Sequence, residues 1–363
     1  MQPLAFSGNV NIIYNMKKLA TLKNIAEYVG VNPATVSRAL DPGKKKLISA
    51  EVCEKIEKVA NKLNYRPRAS GRSLATNKSL SIGIVLQRLE KDMGEPFFAV
   101  FLSSFIICLS KSGYSVQILP VSDDQTREKE ILNYLYSGRV DGFFIGQAMA
   151  DDKVLDEIES RKVPVVILDE IKQVKRNLPC IRVDEQSGAT EAVDFLLKNG
   201  ISKVAYRVHD YIHFSPLRMV TFENTWLEKT GKNIEKIIYK PKVRGTLSDR
   251  VESYKSAMKD IGTLKKYEAI VCCTDLSALG VIDALSDNGI VAGKDMMIIG
   301  YDNIEENPNY PQTQPILSTI DKQYRICGKT AAEMLLRQLE TGGLYGSSIS
   351  ISTKFIRRSS TGE

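Results

Sequence analysis

The 363 residues suffice for roughly two or three domains, and a hydrophobic content of 43% is that of an ordinary globular protein, which excludes a disordered or fibrous chain. The net charge of +7 is unevenly placed: residues 1–78 carry 14 basic and 5 acidic side chains, the remainder 36 and 38. A basic head on a near-neutral body points to a nucleic-acid or anionic-membrane contact joined to a separate domain.

Met1 to Asn15 lacks the basic start, apolar core and small-residue cleavage site of a signal peptide. Met16-Lys17-Lys18 reads as a second start, so residues 1–20 are set aside as an N-terminal extension. No apolar run reaches the ~18 residues that span a bilayer. The six cysteines (Cys53, Cys108, Cys180, Cys272, Cys273, Cys327) form no CxxC pair and no zinc spacing. They read as packed thiols in a reducing cytoplasm, and no metal or other cofactor is expected.

Leu22, Ile25, Ala26 and Val29 fall on one face of a short helix, with Thr21 placed to cap it and Gly30 to end it. Asn32 can cap a second helix with Pro33 at its first position, which turns Val36 and Leu40 inward and Ala34, Thr35, Ser37 and Arg38 outward. A third helix runs from Ser49, with Val52, Ile56, Val59, Ala60 and Leu63 on one face. Three short helices with a tight turn after the first make an all-α helix-turn-helix unit, whose second helix enters the major groove of DNA. Lys44, Lys45 and Lys46 follow that helix and are expected to meet phosphates. Residues 65–78 are Arg-rich, with Arg66, Arg68 and Arg72 among small residues and one apolar outlier, Leu74.

From Ser81 short apolar runs alternate with amphipathic stretches. Strands are expected at Ser81–Leu86, Ser115–Leu119, Gly142–Ile145 and Val163–Leu168, with helices at Phe97–Lys111 and Arg127–Tyr136. The rhythm restarts with strands at Ile181–Val183, Val204–Arg207, Ile237–Tyr239, Ala269–Cys273 and Met297–Ile299. This predicts two doubly wound parallel-sheet α/β lobes, with a ligand site in the cleft near the strand C-termini. No GxGxxG or P-loop follows these strands, and the two histidines, His209 and His213, stand in no pattern of catalytic partners. An enzyme is not expected.

The strings TLKNIAEYVGVNPATVSRAL (Thr21 to Leu40) and KLNYRPRASGRSLA (Lys62 to Ala75) closely resemble the lactose and galactose repressor (LacI/GalR) family of transcriptional regulators. The body resembles that family's periplasmic-binding-protein-like core through EPFFAVF (Glu95 to Phe101), VDGFFIG (Val140 to Gly146), VDEQSGATEAVDFLL (Val183 to Leu197), CTDLSALGVIDAL (Cys273 to Leu285) and IIGYDN (Ile298 to Asn303).

The resemblance implies a bacterial cytoplasmic homodimer on pseudo-palindromic operator DNA, controlled by a small-molecule effector, a sugar or sugar phosphate. The alternative is a global catabolite-control regulator with a phosphorylated carrier protein as corepressor. No leucine heptad of the tetramer-forming kind is present. The domains it implies are the helix-turn-helix at 21–66, a hinge helix at 67–79, one lobe at 80–178 and 308–342, and the other at 179–304 and 343–360. A final helix at Lys322–Leu339 would return to the first lobe and a strand at Ser348–Ile356 to the second.

By the same likeness, DNA contacts fall to Thr21, Asn32, Pro33, Ala34, Thr35, Ser37, Arg38, Lys44, Lys45, Lys46, Tyr65, Arg72 and Leu74. Leu74 would wedge into the minor groove. Gly71 stands where relatives carry Ala, and Gly lowers helix stability by roughly 0.5 to 1 kcal/mol. Gly71→Ala is therefore expected to tighten operator binding. Effector contacts fall to Phe97, Phe98, Arg218 and Asp275, because a carboxylate accepts from paired sugar hydroxyls and a guanidinium donates in a fixed fork. Two departures, Thr221 for Gly and Thr274 for Asn, blur which ligand fits.

Overall fold

In the computed structural model the first helix, α1 (Leu22–Val29), begins in a reciprocal cap. Asn24 N donates to Thr21 Oγ1 at 3.3 Å, and Thr21 N donates to Asn24 Oδ1 at 3.0 Å. Gly30 ends it at φ +77°, a left-handed conformation that a Cβ would strain. Helix α2 (Pro33–Ala39) starts where Asn32 Oδ1 accepts from Ala34 N at 2.8 Å. Helix α3 (Ala50–Lys62) follows Ser49, whose side chain makes no capping bond. Ile25, Ala26, Val36, Ala39, Cys53, Ile56 and Ala60 form the small core, with Leu40 packed half-buried at its edge. Burial of Ile25, Val36 and Ile56 contributes roughly 1.5–3 kcal/mol each.

The structure describes residues 20–41, 43–66, 78–86, 96–121, 126–146, 153–168, 177–210, 216–242, 246–306, 314–343 and 348–362. The chain divides into two compact units, Met1–Lys78 and Ser79–Glu363. The second contains two six-stranded sheets.

The first sheet contains β1 (Ser81–Leu86), β2 (Ser115–Pro120), β3 (Gly142–Gly146), β4 (Val165–Leu168) and β5 (Cys180–Asp184), linked by helices α4 (Pro96–Lys111), α5 (Arg127–Tyr136) and α6 (Lys153–Ser160). All its strand pairs are parallel. The chain then crosses through α7 (Glu185–Lys198) into the second sheet: β6 (Val204–His209), α8 (Pro216–Thr230), β7 (Glu235–Tyr239), α9 (Thr246–Leu264), β8 (Ala269–Cys272), α10 (Asp275–Asp287), β9 (Met297–Tyr301) and β10 (Ser318–Asp321). It returns through α11 (Tyr324–Thr341) to the first lobe, where β11 (Ser348–Ser352) pairs with β5. It ends in β12 (Lys354–Ile356), antiparallel to β10 in the second sheet.

Two sequence expectations are corrected here. The Ile181–Val183 strand closes the first sheet instead of opening the second, because its partner is β4. The single Ser348–Ile356 strand is two strands in different sheets, parted at Thr353.

Apolar faces of both sheets are covered. On one side of the first, Phe101, Phe105 and Phe144 pack with ring centroids 4.6–5.8 Å apart beneath α4 and α11. Buried Gln338 of α11 completes β4 like an extra strand: its Nε2 donates to Val165 O at 2.9 Å and its Oε1 accepts from Val165 N at 3.1 Å.

Three crossovers join the lobes, and they are bonded to one another. Thr353 Oγ1 donates to Asp184 O and accepts from Gly188 N, both at 2.8 Å. A Cβ at Gly188 would stand 2.7 Å from that same oxygen and 2.6 Å from Ile320, so only glycine admits this approach. Gln323 Nε2 donates to Ser352 O, and Lys322 Nζ lies 3.1 Å from Glu185 Oε1.

Candidate nucleic-acid interface and ligand site

The capped start of α2 presents Asn32, Pro33, Ala34, Ser37 and Arg38 to solvent, while Val36 and Ala39 anchor the opposite face. Thr35 is half-buried, as is Thr21, which is committed to its cap. An exposed helix face of small, polar and cationic residues has the form needed to reach base edges from a rigid support.

The three lysines behave differently. Lys44 lies 3.7 Å from Asp41, Lys45 pairs with Glu57 of α3, and Lys46 is exposed within a single 3₁₀ turn, Lys45–Leu47. The pairing raises the pKa of Lys45 through its hydrogen bond and charge contact with Glu57. Tyr65 is half-buried and packs against the headpiece core, a structural use beside its expected DNA contact. Arg72, Leu74 and Gly71 lie outside the described residues.

In the second lobe, Arg218 projects from the first turn of α8 and is 5% exposed. Its Nη1 donates to Cys273 O at 2.7 Å and lies 3.4 Å from Asp302 Oδ1; the guanidinium sits 4.9 Å from the Tyr301 ring centroid. Burial works against its charge, but Asp302 and Glu185 outweigh burial and hold its pKa above the usual value. Asp302 follows β9 with φ +105° and Asn303 with φ +55°, two successive non-glycine residues in a conformation seldom adopted. That bend turns a carboxylate toward Arg218.

Asp275, expected at the effector, has partners within the lobe. It is 1% exposed, and both its oxygens are taken inside the lobe: Oδ1 accepts from Thr319 Oγ1 at 2.6 Å and Oδ2 from Ile304 N at 2.8 Å. Burial, then the neighbouring Asp302 charge, pushes its pKa well up. Phe98 is likewise a core residue, 8% exposed and stacked 6.2 Å from Phe101; the Phe97 side chain lies outside the described residues. Thr274 donates its hydroxyl to Asp249 Oδ2 at 2.7 Å, and Tyr239 donates to Asp249 Oδ1 at 2.7 Å. His209 packs edge-on to Tyr239, and burial lowers its pKa.

Asp302, Glu185 and Lys322 were not singled out from the sequence. The usable signal for Asp302 lay in the quoted Ile298 to Asn303 string, which puts it one residue beyond a buried strand, the usual address of a ligand-facing group.

Two family models match the chain. Bacterial regulatory proteins, lacI family, matches residues 21–68, and Periplasmic binding protein-like domain matches residues 193–361. The HTH-type transcriptional regulator RegA of Clostridium saccharobutylicum is 26% identical over 345 residues, covering 94% of this chain and 99% of the relative. The HTH-type transcriptional repressor PurR of Haemophilus influenzae (strain PittEE) is 27% identical over 350 residues, with 94% and 98% covered. The crystal structure of the Lac repressor dimer bound to operator and the anti-inducer ONPF shares the fold at a TM-score of 0.75 and 23% identity, over 95% of this chain and all of that one. Among the described residues no helix is long and apolar enough to cross a membrane.

Proposed function

This chain belongs to the lacI family of bacterial regulatory proteins, and from that premise we propose that it is a dimeric repressor whose operator affinity is set by a small-molecule effector of the sugar class. The observation that carries the reading is α2, capped by Asn32 and started by Pro33, with Ala34, Ser37 and Arg38 outward. Two such helices in a dimer read two half-sites, and the lysines beside them supply affinity without sequence information. The Lac repressor structure holds a dimer on operator, which supports the same assembly here.

The effector seat is Arg218 with Asp302, not Asp275. A fixed fork of donors beside a carboxylate suits adjacent sugar hydroxyls, which donate and accept together. Effector binding shifts the lobes about their crossovers and changes operator affinity. The coupling is reciprocal, so operator changes effector affinity by the same factor.

The test is selection of bound sequences from a random duplex library, followed by titration of Arg38→Ala and Ser37→Ala. We expect an enriched two-fold symmetric site, with each substitution relaxing preference at one position per half-site and weakening binding by about 1–3 kcal/mol. Enrichment of no symmetric site refutes the reading.

A further inference from the structure

The turn between α2 and α3 holds an apolar side chain directly after three cations. Leu47 is 73% exposed, more than any other large apolar side chain among the described residues, and Lys44, Lys45 and Lys46 precede it. Single exposed leucines are common on protein surfaces. This one stands on a fixed support.

Asp41 ties the turn to the end of α2. Its N donates to Arg38 O at 3.3 Å, its carbonyl oxygen accepts from Lys44 N at 3.0 Å and Lys45 N at 2.8 Å, and Oδ1 accepts from Gly43 N at 2.9 Å. On the other side Lys45 pairs with Glu57 of α3, and Cys53 Sγ lies 3.8 Å from Lys45 O and 3.9 Å from Ile48 O. Leu47 N donates to Lys44 O at 3.0 Å, closing the 3₁₀ turn, and the next residue, Ile48, packs half-buried against the headpiece core. In such a turn side chains three residues apart stack on one face, which sets the Lys44 cation beside Leu47. The leucine is thus held in water, and its apolar surface is covered only when another molecule docks.

We propose that Leu47 packs on the deoxyribose wall of duplex DNA, beside phosphates neutralised by Lys44 and Lys46. The contact rests on the operator reading above and adds an apolar element to it. The N-terminal residues of a recognition helix reach base edges, so the turn after its C-terminal end meets the backbone, where sugar C–H faces alternate with phosphates. The lysines draw the turn to the anionic strand, an attraction that salt screens. Burial of Leu47 then adds affinity in proportion to the apolar area covered, independent of counterion release.

The test uses the full chain and the duplex enriched in the selection described above, titrated by fluorescence anisotropy at several KCl concentrations. With two leucines lost per dimer, Leu47→Ala should weaken binding at least about tenfold, at an unchanged melting temperature. The slope of log affinity against log salt should stay at the wild-type value, and Leu47→Met should recover most of the affinity. Hydroxyl-radical footprinting, which reports on sugar exposure, should show one protected patch per half-site opened in Leu47→Ala. Four results overturn the contact: Leu47→Ala binds as the wild type does, its preferred sequence changes because the leucine reads a base, its footprint on the sugars is unaltered, or its dimer dissociates because the leucine meets the partner subunit. A wild-type protein that enriches no symmetric site defeats the operator reading itself, whereas any of those four results beside normal wild-type binding defeats only the Leu47 contact.

Discussion

Arg218 and Asp302 form an ion pair at 3.4 Å between helix α8 and the end of strand β9, with side chains only 6% and 9% exposed. Removing one member of so buried a pair leaves the other uncompensated and typically costs about 3–5 kcal/mol. Asp302→Ala should therefore lower the melting temperature of the core. The milder Asp302→Asn should still bind operator but need at least about tenfold more effector for release, since a charge-assisted bond becomes a neutral one. An Asp302→Asn protein that releases operator at the wild-type effector concentration would remove this residue from the ligand seat.

Asp275 gives a prediction with a pH sign. Its folded pKa is raised, so the native state holds that proton more tightly than the unfolded chain, where an aspartate titrates near 3.9. The stabilisation is complete below that value and is lost as pH rises toward the folded pKa. Urea unfolding of Asp275→Asn should show this fall with pH flattened relative to wild type, with effector affinity little changed. A large loss of effector affinity would return Asp275 to the binding site.

Lys45 and Lys46 are neighbours with different prospects. Lys46 is exposed, and neutralising one phosphate contact changes the slope of log affinity against log salt by about 0.9. Lys46→Gln removes one such contact in each subunit of the dimer and should flatten the salt slope by about 1.8 without altering the preferred sequence. Lys45 is paired with Glu57, so Lys45→Gln should flatten it less. Equal slopes for the two variants would show that the ion pair gives way to DNA.

Thr353 holds two crossovers through one oxygen. Replacement by isosteric Val removes both bonds and leaves Gly188 N–H without its acceptor, a loss of about 2 kcal/mol on the usual scale of about 1 kcal/mol per hydrogen bond. Differential scanning calorimetry should show a melting transition several degrees lower. An unchanged transition would mean the crossovers are held by packing alone.

Legibility in the sequence follows the kind of force at work. Strand β1 could be read to the residue because SIGIVL is an almost wholly apolar run, buried along its whole length. Helix α2 could be read from Asn32 and Pro33, since capping is local chemistry. The sheet to which β5 belongs could not, because parallel pairing joins segments that local pattern leaves unordered. The break at Thr353 left only a faint mark, the three consecutive polar residues Ser352, Thr353 and Lys354 in an otherwise alternating segment, and the change of sheet is set by pairing with β5 on one side and β10 on the other. At the proposed ligand seat, Arg218 and Asp275 were both named by residue type, but a carboxylate after a strand suits a ligand and a neighbouring turn equally well, and the bond of Asp275 to Ile304 N appears only in three dimensions.

The passage from β11 to β12 gives both sheets a common edge. One residue separates a strand bonded to β5 from a strand bonded to β10. Neither sheet can shed that border alone, so fraying that begins at either edge is shared, and the two lobes should melt as one cooperative body despite their separate cores. Pulling from the C-terminus would detach first β12 and then β11, loosening the second lobe before the first.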